Sequence, residues 1–142
     1  MFLSQGIDIV EVNRIKDLYE RYGLTFLRKV YTEREVDKVM KNCFKKKIQK
    51  LSGIFAAKEA VSKAIGYGFS RGIYPKNIEI RYDQFNKPFI YLHDKAEKIF
   101  NKKFISKQKK NISISISHEK NYAICIATII KTNLMRTKIC KT

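Results

Sequence analysis

Residues 55–66 combine acidic, basic and hydroxyl side chains with the periodicity of a helix. At about 100° per residue, one face carries Leu51, Ile54, Phe55, Val61 and Ile65. Lys58 and Ser62 fall within that apolar face, and Glu59 and Lys63 lie together on its flank. An ionised group in such a seam needs a partner, because an unpaired buried charge costs several kcal/mol. We therefore expect these polar side chains to face a ligand.

Asp8 and Glu59 are the best pair of hard oxygen ligands that the sequence offers. Magnesium usually takes one or two protein carboxylates, keeps several waters and completes its shell with substrate phosphates. Two carboxylates with nearby lysines and a glycine loop therefore suit a metal-bridged diphosphate. Structural alternatives stay open here. Asp8 could face solvent from its strand, and Glu59 could form with Lys63 an ordinary ion pair of about 0.3–0.5 kcal/mol.

Three further features have a structural interpretation beside a functional one. His118 ends an alternating strand and enters a turn, where a lone histidine is more often a surface or hydrogen-bonded residue. Gly66 follows the helix, and glycine at that place is usually a C-cap. Arg14, Arg21 and Arg28 could form a merely solvated face. None of these features identifies a function by itself.

The elements that must position these residues alternate between strand and helix patterns. The first half is predicted to contain a strand over 3–12, helices over 13–22 and 32–41, and a lysine-rich stretch over 45–50 that leads into the long helix. The second half is predicted to contain strands over 77–82 and 88–93, a helix from 94, and strands over 112–117 and 122–130. Gly23 is expected to end the first helix, and Thr32 with Glu35 to open the second through a capping box. This order predicts one α+β domain over residues 1–130, with an antiparallel sheet packed around the long central helix. Residues 131–142 are expected to be a basic tail.

Composition narrows the class of partner without naming one. The chain has 142 residues, 44% of them hydrophobic, and 30 Lys and Arg against 13 Asp and Glu give a net charge of +17. Such a field attracts a polyanion, an anionic membrane, a phosphorylated ligand or an acidic protein. Three cysteines at unrelated spacings suggest a reducing compartment. With no signal region or membrane span, we expect a soluble cytosolic protein, although an organelle-targeting extension could precede the sequence.

Five blocks of the sequence, in order over about residues 3–130, resemble the holo-acyl-carrier-protein synthase family of 4′-phosphopantetheinyl transferases. The blocks are Gly6–Glu11, Phe26–Glu35, Phe55–Gly66, the hairpin with Ile78–Ile80, Asp83 and Lys87-Pro88, and Ser115–His118. Two departures are visible. Asn86 stands where the hairpin usually has glycine, and asparagine also accepts a left-handed backbone. Tyr74-Pro75 replaces a tryptophan often found before that hairpin.

The resemblance implies transfer of the 4′-phosphopantetheine arm of coenzyme A to a serine of apo acyl carrier protein, for fatty acid biosynthesis. The by-product is adenosine 3′,5′-bisphosphate. Asp8 and Glu59 would bind Mg²⁺ on the diphosphate, and Lys63 would stabilise developing charge there. The base that accepts the serine proton stays open between Lys63, Glu59 and a metal-bound water. Such a reaction depends on positioning and on neutralising charge.

The resemblance also implies the binding partners of the chain. Coenzyme A would be held by Lys58, Ser62, Gly66 and His118. The family forms trimers with active sites between protomers, so His118 of one chain would complete a site whose carboxylates come from its neighbour. Arg14, Arg21 and Arg28 would dock the small, acidic carrier protein.

Two other classes of function fit the residues less well. A nucleic-acid-binding module is suggested by the net charge and by lysine runs at 45–50 and 107–110. Its aromatic residues would be interleaved with basic ones on an exposed face, whereas those of this chain mostly fall on apolar stripes. A metal-dependent nuclease would use the same two carboxylates but has no evident third acidic ligand. We therefore expect neither nucleic acid nor membrane as the partner.

Overall fold

The chain folds as an α+β structure in which a three-stranded antiparallel sheet packs against one long helix. A computed structural model describes residues 2–104 and 112–131. The elements are β1 (Phe2–Glu11), α1 (Val12–Val30), α2 (Glu33–Met40), α3 (Phe44–Ile65), a 3₁₀ turn (Pro75–Asn77), β2 (Ile78–Tyr82), β3 (Pro88–Leu92), α4 (Asp94–Phe104), β4 (Ile112–His118) and β5 (Tyr122–Lys131). The predicted fold class is confirmed.

The main sheet has the strand order β1-β5-β4, and both pairs are antiparallel. Its register places Asp8 opposite Cys125, and Cys125 opposite Ile116. Paired residues point to the same face of a sheet. Because Cys125 is fully buried, Asp8 lies on the side of the sheet that faces α3. Strands β2 and β3 form a separate hairpin.

Helix α3 is the centre of the core. Its four alanines, Ala56, Ala57, Ala60 and Ala64, are all completely buried. On one side α3 packs against the main sheet, and on the other against α1, α2 and β2. A helix surface without bulk allows close packing of its neighbours, and α3 is accordingly packed on both faces.

Strand β1 approaches α3 closely enough for their backbones to touch. A Cβ atom at Gly6 would collide with the carbonyl oxygen of Ala60 and lie 2.6 Å from the amide nitrogen of Ala64. The Ser4 hydroxyl donates a 2.6 Å hydrogen bond to the carbonyl of Ala64. Glycine is therefore required at position 6 for steric reasons, and the contact sets the separation between strand and helix.

Gly23 ends the first helical segment of α1, as predicted, but the sequence did not predict the second helical segment that follows it. Gly23 interrupts the helix with φ 49° and ψ −126°, after which the chain returns to helix until Val30. Phe26 and Leu27 in the second segment are buried, so burial of an apolar face restores the helix after the kink. The two segments consequently point in different directions.

Helix α3 begins at Phe44, so the lysine-rich stretch 45–50 belongs to the helix and does not merely precede it. Lysine is a good helix former, and Ile48 within the stretch is buried. The capping box of α2 is confirmed. The Thr32 amide donates to Glu35 Oε2 at 2.9 Å, and the Glu35 amide donates to Thr32 Oγ1 at 3.3 Å. Asn86 adopts the left-handed conformation expected of it, with φ 62°.

Some expectations lie wholly or partly outside the described residues. The lysine run at 107–110 and residues 132–142 of the expected tail are among them, as is Cys140. Cys43 and Cys125 are free thiols. Across residues 2–104 and 112–131, we find no helix with the length and apolar character needed to cross a membrane.

Replacing Gly6 by alanine should lower the free energy of unfolding by about 1–3 kcal/mol or more, the cost of forcing an extra carbon into packed backbone. Urea denaturation followed by circular dichroism measures the change. Gly53→Ala in α3 is the matched control. Its Cβ would meet only the side-chain Cγ2 atom of Ile116, at 3.2 Å. Alanine there also gains about 0.8–1 kcal/mol of helix propensity. Equal effects of the two variants would contradict a backbone contact at Gly6.

Candidate active site

The contact between β1 and α3 brings Asp8, Glu59 and Lys63 together, although 50 residues of sequence separate the first two. Lys63 Nζ donates to Asp8 Oδ1 at 2.8 Å and to the carbonyl oxygen of Ile7 at 3.1 Å. The Asp8 side chain is 15% exposed and that of Lys63 is 49% exposed. The group therefore lies at the protein surface, with its acid partly buried and its base reaching over it from α3.

Glu59 interacts electrostatically with Asp8 and Lys63. Partial burial raises the pKa of Glu59, and the charge of Asp8 raises it further. Lys63 and Arg14 lower the pKa but do not cancel the shift. Two carboxylates are thus crowded at one site with too little compensating positive charge. Such crowding favours a cation ligand.

The two carboxylates fit Mg²⁺ better than an ion held by protein ligands alone. In the described part of the chain, no cluster of three or more His, Cys, Asp or Glu side chains could hold a metal ion. Magnesium commonly takes one or two carboxylates and draws its remaining ligands from water and substrate phosphates. Asp8 and Glu59 are hard oxygen donors at a partly open surface, which suits that mode of binding.

The thiol beside this site is not a reactive group. Cys125 is buried next to Asp8 in the sheet, and burial together with the charge of Asp8 raises its pKa to about 12. A thiol with so high a pKa stays protonated at neutral pH and is a poor nucleophile. Cys125 therefore serves as an apolar residue beneath the site.

Lys58 does not face a ligand within the chain, which corrects the expectation from its place in the apolar face. Its side chain is 1% exposed, and its ammonium lies 2.9 Å from Glu35 Oε2. It also donates to the carbonyl oxygens of Pro75 and Ile78. The partner that a buried charge requires is thus a carboxylate of α2, which sequence periodicity could not indicate.

Ser62 and Gly66 serve the helix itself. Ser62 is fully buried, and its hydroxyl donates to the carbonyl of Glu59 at 2.7 Å. Gly66 caps α3 in the left-handed conformation with φ 100°, and its amide donates to the carbonyl of Ser62 at 3.2 Å. The structural interpretation therefore accounts for both residues.

His118 is exposed at the end of β4, and the structure does not bring it to Asp8 within one chain. Strand β5 lies between β4 and β1, and neighbouring strands are about 4.8 Å apart. His118 pairs with Ala123, which pairs with Val10, two residues beyond Asp8. Within one chain, strand β5 therefore separates His118 from Asp8.

The three arginines of α1 are exposed, and the first of them lies beside the carboxylates. Arg14 contributes to the pKa of Glu59, and its guanidinium lies 5.9 Å from the centre of the Phe55 ring. Arg21 lies on the same segment of α1, and Arg28 follows the kink at Gly23. The arginine surface thus begins at the active site and extends away from it.

A cavity of about 380 Å³ between α2, α3 and the hairpin was not foreseen from the sequence. Four of its lining residues are the cations Arg34, Lys38, Lys50 and Arg81. Lys38 and Lys50 have no carboxylate within ion-pair distance in the described part of the chain. Burial and the charge of Lys50 lower the pKa of Lys38. The available signal was Lys50 in the lysine-rich stretch, but its neighbours come from α2 and β2.

Comparison with known proteins relates this arrangement to a family. The family profile of the 4′-phosphopantetheinyl transferase superfamily matches residues 4–127. A holo-[acyl-carrier-protein] synthase from Halothermothrix orenii is 45% identical over 126 residues, covering 87% of this chain and 94% of that enzyme.

Solved structures give the same relationship. The holo-acyl-carrier-protein synthase of Plasmodium yoelii is 31% identical with a TM-score of 0.75, over 94% of this chain and all of that one. The Helicobacter pylori enzyme in complex with coenzyme A is 28% identical with a TM-score of 0.74, over 89% of this chain and 99% of that one. The profile and both relatives span nearly the whole described fold. The chain belongs to the 4′-phosphopantetheinyl transferase superfamily, within its holo-[acyl-carrier-protein] synthase family.

Proposed function

We propose that the chain transfers 4′-phosphopantetheine from coenzyme A to a serine hydroxyl of apo acyl carrier protein, releasing adenosine 3′,5′-bisphosphate. The observation that carries this proposal is the approach of Asp8, Glu59 and Lys63 across the β1–α3 contact. The serine oxygen forms a bond to the phosphorus that carries the pantetheine arm. The bond from that phosphorus to the bridging oxygen of the diphosphate breaks, and the leaving oxygen takes the electron pair.

Asp8 and Glu59 are the residues that would hold Mg²⁺. When bound, the ion supplies positive charge to the diphosphate and so stabilises the charge that develops on the leaving group. The magnesium dependence rests on the chemistry of this donor pair, whose own negative charge is poorly compensated in the chain. The carboxylates orient the substrate diphosphate relative to the incoming serine.

Lys63 acts as a fixed donor of positive charge. Its ammonium already donates to Asp8 and to the Ile7 carbonyl, so its position is set before substrate arrives. A cation positioned in advance stabilises a transition state without reorganisation. A cation held by Asp8 and Glu59 would offset the repulsion that raises the pKa of Glu59 in the free chain. Glu59 and Lys63 are therefore both candidates for the group that accepts the serine proton.

Coenzyme A carries a diphosphate and a ribose phosphate, and so requires several cations. Lys58 is unavailable for this task, whereas the cavity beside α2 presents Lys38 and Lys50 without acidic partners. The residues that line this cavity include Ile54 and Ile80, which suits the apolar part of a ligand. We assign the nucleotide end of coenzyme A to this cavity together with exposed His118.

The cavity and Glu59 lie on different faces of α3. Ile54 of the cavity and Glu59 are roughly 140° apart around a helix of 3.6 residues per turn. One coenzyme A molecule would therefore contact the cavity of one chain and the carboxylates of another. The proposal thus includes an oligomer with shared sites.

The outer face of the main sheet supports a homotrimer. Its register places exposed Ile7 opposite Ile126 and Ile9 opposite Ile124, and Ile9 is 61% exposed. A contiguous apolar face of this kind marks a protein–protein interface. Burying this face between three copies of the chain would remove its apolar surface from water.

The partner protein is acidic, and the arginines of α1 present the complementary charge. Arg14 leads directly to Glu59, so a carrier protein docked on α1 would place its serine near the reacting phosphorus. Complementary charge speeds encounter by steering. We place the activity in the cytoplasm, because Cys43 is an exposed free thiol and such thiols suit a reducing compartment.

Replacing either carboxylate by its amide should lower transfer by about 100-fold or more, because the cation and the diphosphate lose their anchor. The variants are Asp8→Asn and Glu59→Gln, assayed by mass spectrometry of apo carrier protein incubated with coenzyme A and Mg²⁺. Asp37→Asn, an exposed carboxylate of α2, is the matched control. Near-normal turnover in either active-site variant would remove the metal assignment.

Glu59→Gln should also change how the stability of the protein depends on pH. The pKa of Glu59 is raised in the folded chain, so its ionised form opposes folding at neutral pH and its protonated form does not at low pH. Glu59→Gln should therefore be more stable than the native chain at pH 7 without metal. That advantage should disappear as the pH falls below the ordinary pKa of glutamate. A variant less stable at pH 7 would contradict this account.

Reversing the charge of Arg21 should raise the KM for carrier protein roughly tenfold and leave that for coenzyme A nearly unchanged, because docking weakens while the site stays intact. The measurement is steady-state kinetics at two salt concentrations, since screening should reduce the difference. Lys98→Glu on the exposed side of α4 makes the same charge change elsewhere. Equal effects of the two variants would argue against docking on α1.

Mixing an inactive Asp8→Ala chain with an inactive His118→Ala chain should restore transfer, because one site in a mixed trimer would contain both native residues. Activity is measured after joint refolding, and mass measurement under native conditions verifies the mixed assembly. Each variant refolded alone is the control. Verified mixed trimers without activity would contradict shared sites.

A further inference from the structure

The buried pair formed by Lys58 and Glu35 joins three segments of the chain. Lys58 projects from α3, and its ammonium contacts Glu35 Oε2 on α2 at 2.9 Å. It also donates to the carbonyl oxygens of Pro75 at 3.0 Å and Ile78 at 2.5 Å. These two carbonyls lie at either end of the 3₁₀ turn that leads into β2. One ammonium therefore fixes α2 and the base of the hairpin to the same point of α3.

Glu35 completes this junction with its remaining lone pairs. Its Oε2 atom accepts from the amide of Thr32 at 2.9 Å, and its Oε1 atom accepts from the amide of Ile80 at 2.8 Å. The side chains of Glu35 and Lys58 are 0% and 1% exposed, respectively. All of these bonds are satisfied inside the protein, and the carboxylate links α2 to β2 independently of Lys58.

Stability alone does not account for such a pair. Removing two charges from water is costly, and an apolar pair of similar volume is often as stable or more so. An apolar side chain, however, cannot bond the carbonyls of Pro75 and Ile78, whose directions fix the hairpin relative to α3. What the ion pair adds beyond packing is therefore a defined position for the segments around it.

The segments that are fixed in this way form the walls of the cation-lined cavity. Helix α2 contributes Lys38 to the cavity, and the hairpin contributes Arg81. Lys58 is also the residue before Glu59, and their side chains leave α3 roughly 100° apart in a helix of 3.6 residues per turn. The bonds of Lys58, together with the buried alanines of α3, set which side of the helix presents Glu59 to Asp8.

We propose that Lys58 is a positioning residue, whose buried bonds hold the cation-lined cavity and the Glu59 carboxylate in fixed relation on opposite sides of α3. This role rests on the proposed function, in which the cavity receives the nucleotide end of coenzyme A. Lys58 touches no substrate. It acts through Lys38, Arg81 and Glu59, which do.

The test compares Lys58→Met, which leaves Glu35 buried and unpaired, with the charge-neutral double variant Glu35→Gln/Lys58→Met. The single variant should unfold at much lower urea concentration, and the double variant should recover part of that loss, because no unpaired charge stays buried. The recovery should be incomplete, because a glutamine at position 35 has only one oxygen to accept from the amides of Thr32 and Ile80. The KM for coenzyme A should nevertheless stay about 10–100-fold high in the double variant, the range for groups that orient functional ligands. The KM for carrier protein should not change, because α1 is untouched.

A folded double variant with native KM for coenzyme A would overturn the proposal, since the pair would then serve stability alone. If the double variant does not fold, Lys58→Met decides by itself at a temperature where circular dichroism shows it folded, because it removes the bonds of Lys58 and leaves Glu35 in the cavity lining. It should raise the KM for coenzyme A in the same direction, and an unchanged value would overturn the proposal. Lys98→Met on α4 is the control for loss of a lysine.

Calorimetric titration with adenosine 3′,5′-bisphosphate gives a second readout that does not require turnover. Its dissociation constant should rise in the double variant by the same factor as the KM for coenzyme A. An equal affinity in both proteins would overturn the positioning role. A native chain that binds the nucleotide but transfers nothing would instead contradict the proposed function, so the two failures are distinguishable.

Discussion

The backbone contact between β1 and α3 is the constraint on which the rest of the structure depends. A strand and a helix ordinarily pack with side chains between them, but Gly6 removes that layer where it crosses Ala60 and Ala64. The bond from Ser4 to the Ala64 carbonyl fixes the strand along the helix axis. Asp8 follows two residues later on the same side of the strand and therefore meets the next exposed turn of α3. The active site is thus a consequence of steric fit.

The charges at the site destabilise the isolated chain. Burial and the neighbouring Asp8 both disfavour the ionised form of Glu59, and Lys63 compensates only in part. A protein selected for stability alone would not place two acids here. The same imbalance is useful once a cation is present, because the stored repulsion is released when the cation binds. The two crowded carboxylates contrast with a chain that carries +17 overall, and the proposed function uses them to hold a cation.

The local sequence pattern was enough to predict the helices and strands. It was not enough to predict which residues the polar side chains contact. The capping box at Thr32, the left-handed Asn86 and the strands could be predicted, because each depends on neighbours within a few residues. Lys58 and Glu59 look alike in periodicity, as charged residues at the edge of an apolar face. The structure separates them, because Lys58 meets Glu35 and Glu59 meets Asp8. Both partners lie more than 20 residues away in sequence, so helical spacing carries no information about them.

Helix α3 consequently separates two regions of the protein that differ in charge. On the sheet side, Lys63 reaches the surface and pairs with Asp8, beside Glu59. On the other side, Lys58 is neutralised by Glu35 within the core, and the uncompensated cations lie farther out at the cavity. The proposed substrate is too strongly anionic for the carboxylate side alone, and the one carboxylate that lines the described cavity, that of Glu35, is already paired with Lys58. The two faces of α3 point apart within a single chain, so in the proposed function one coenzyme A molecule joins them across an interface between chains.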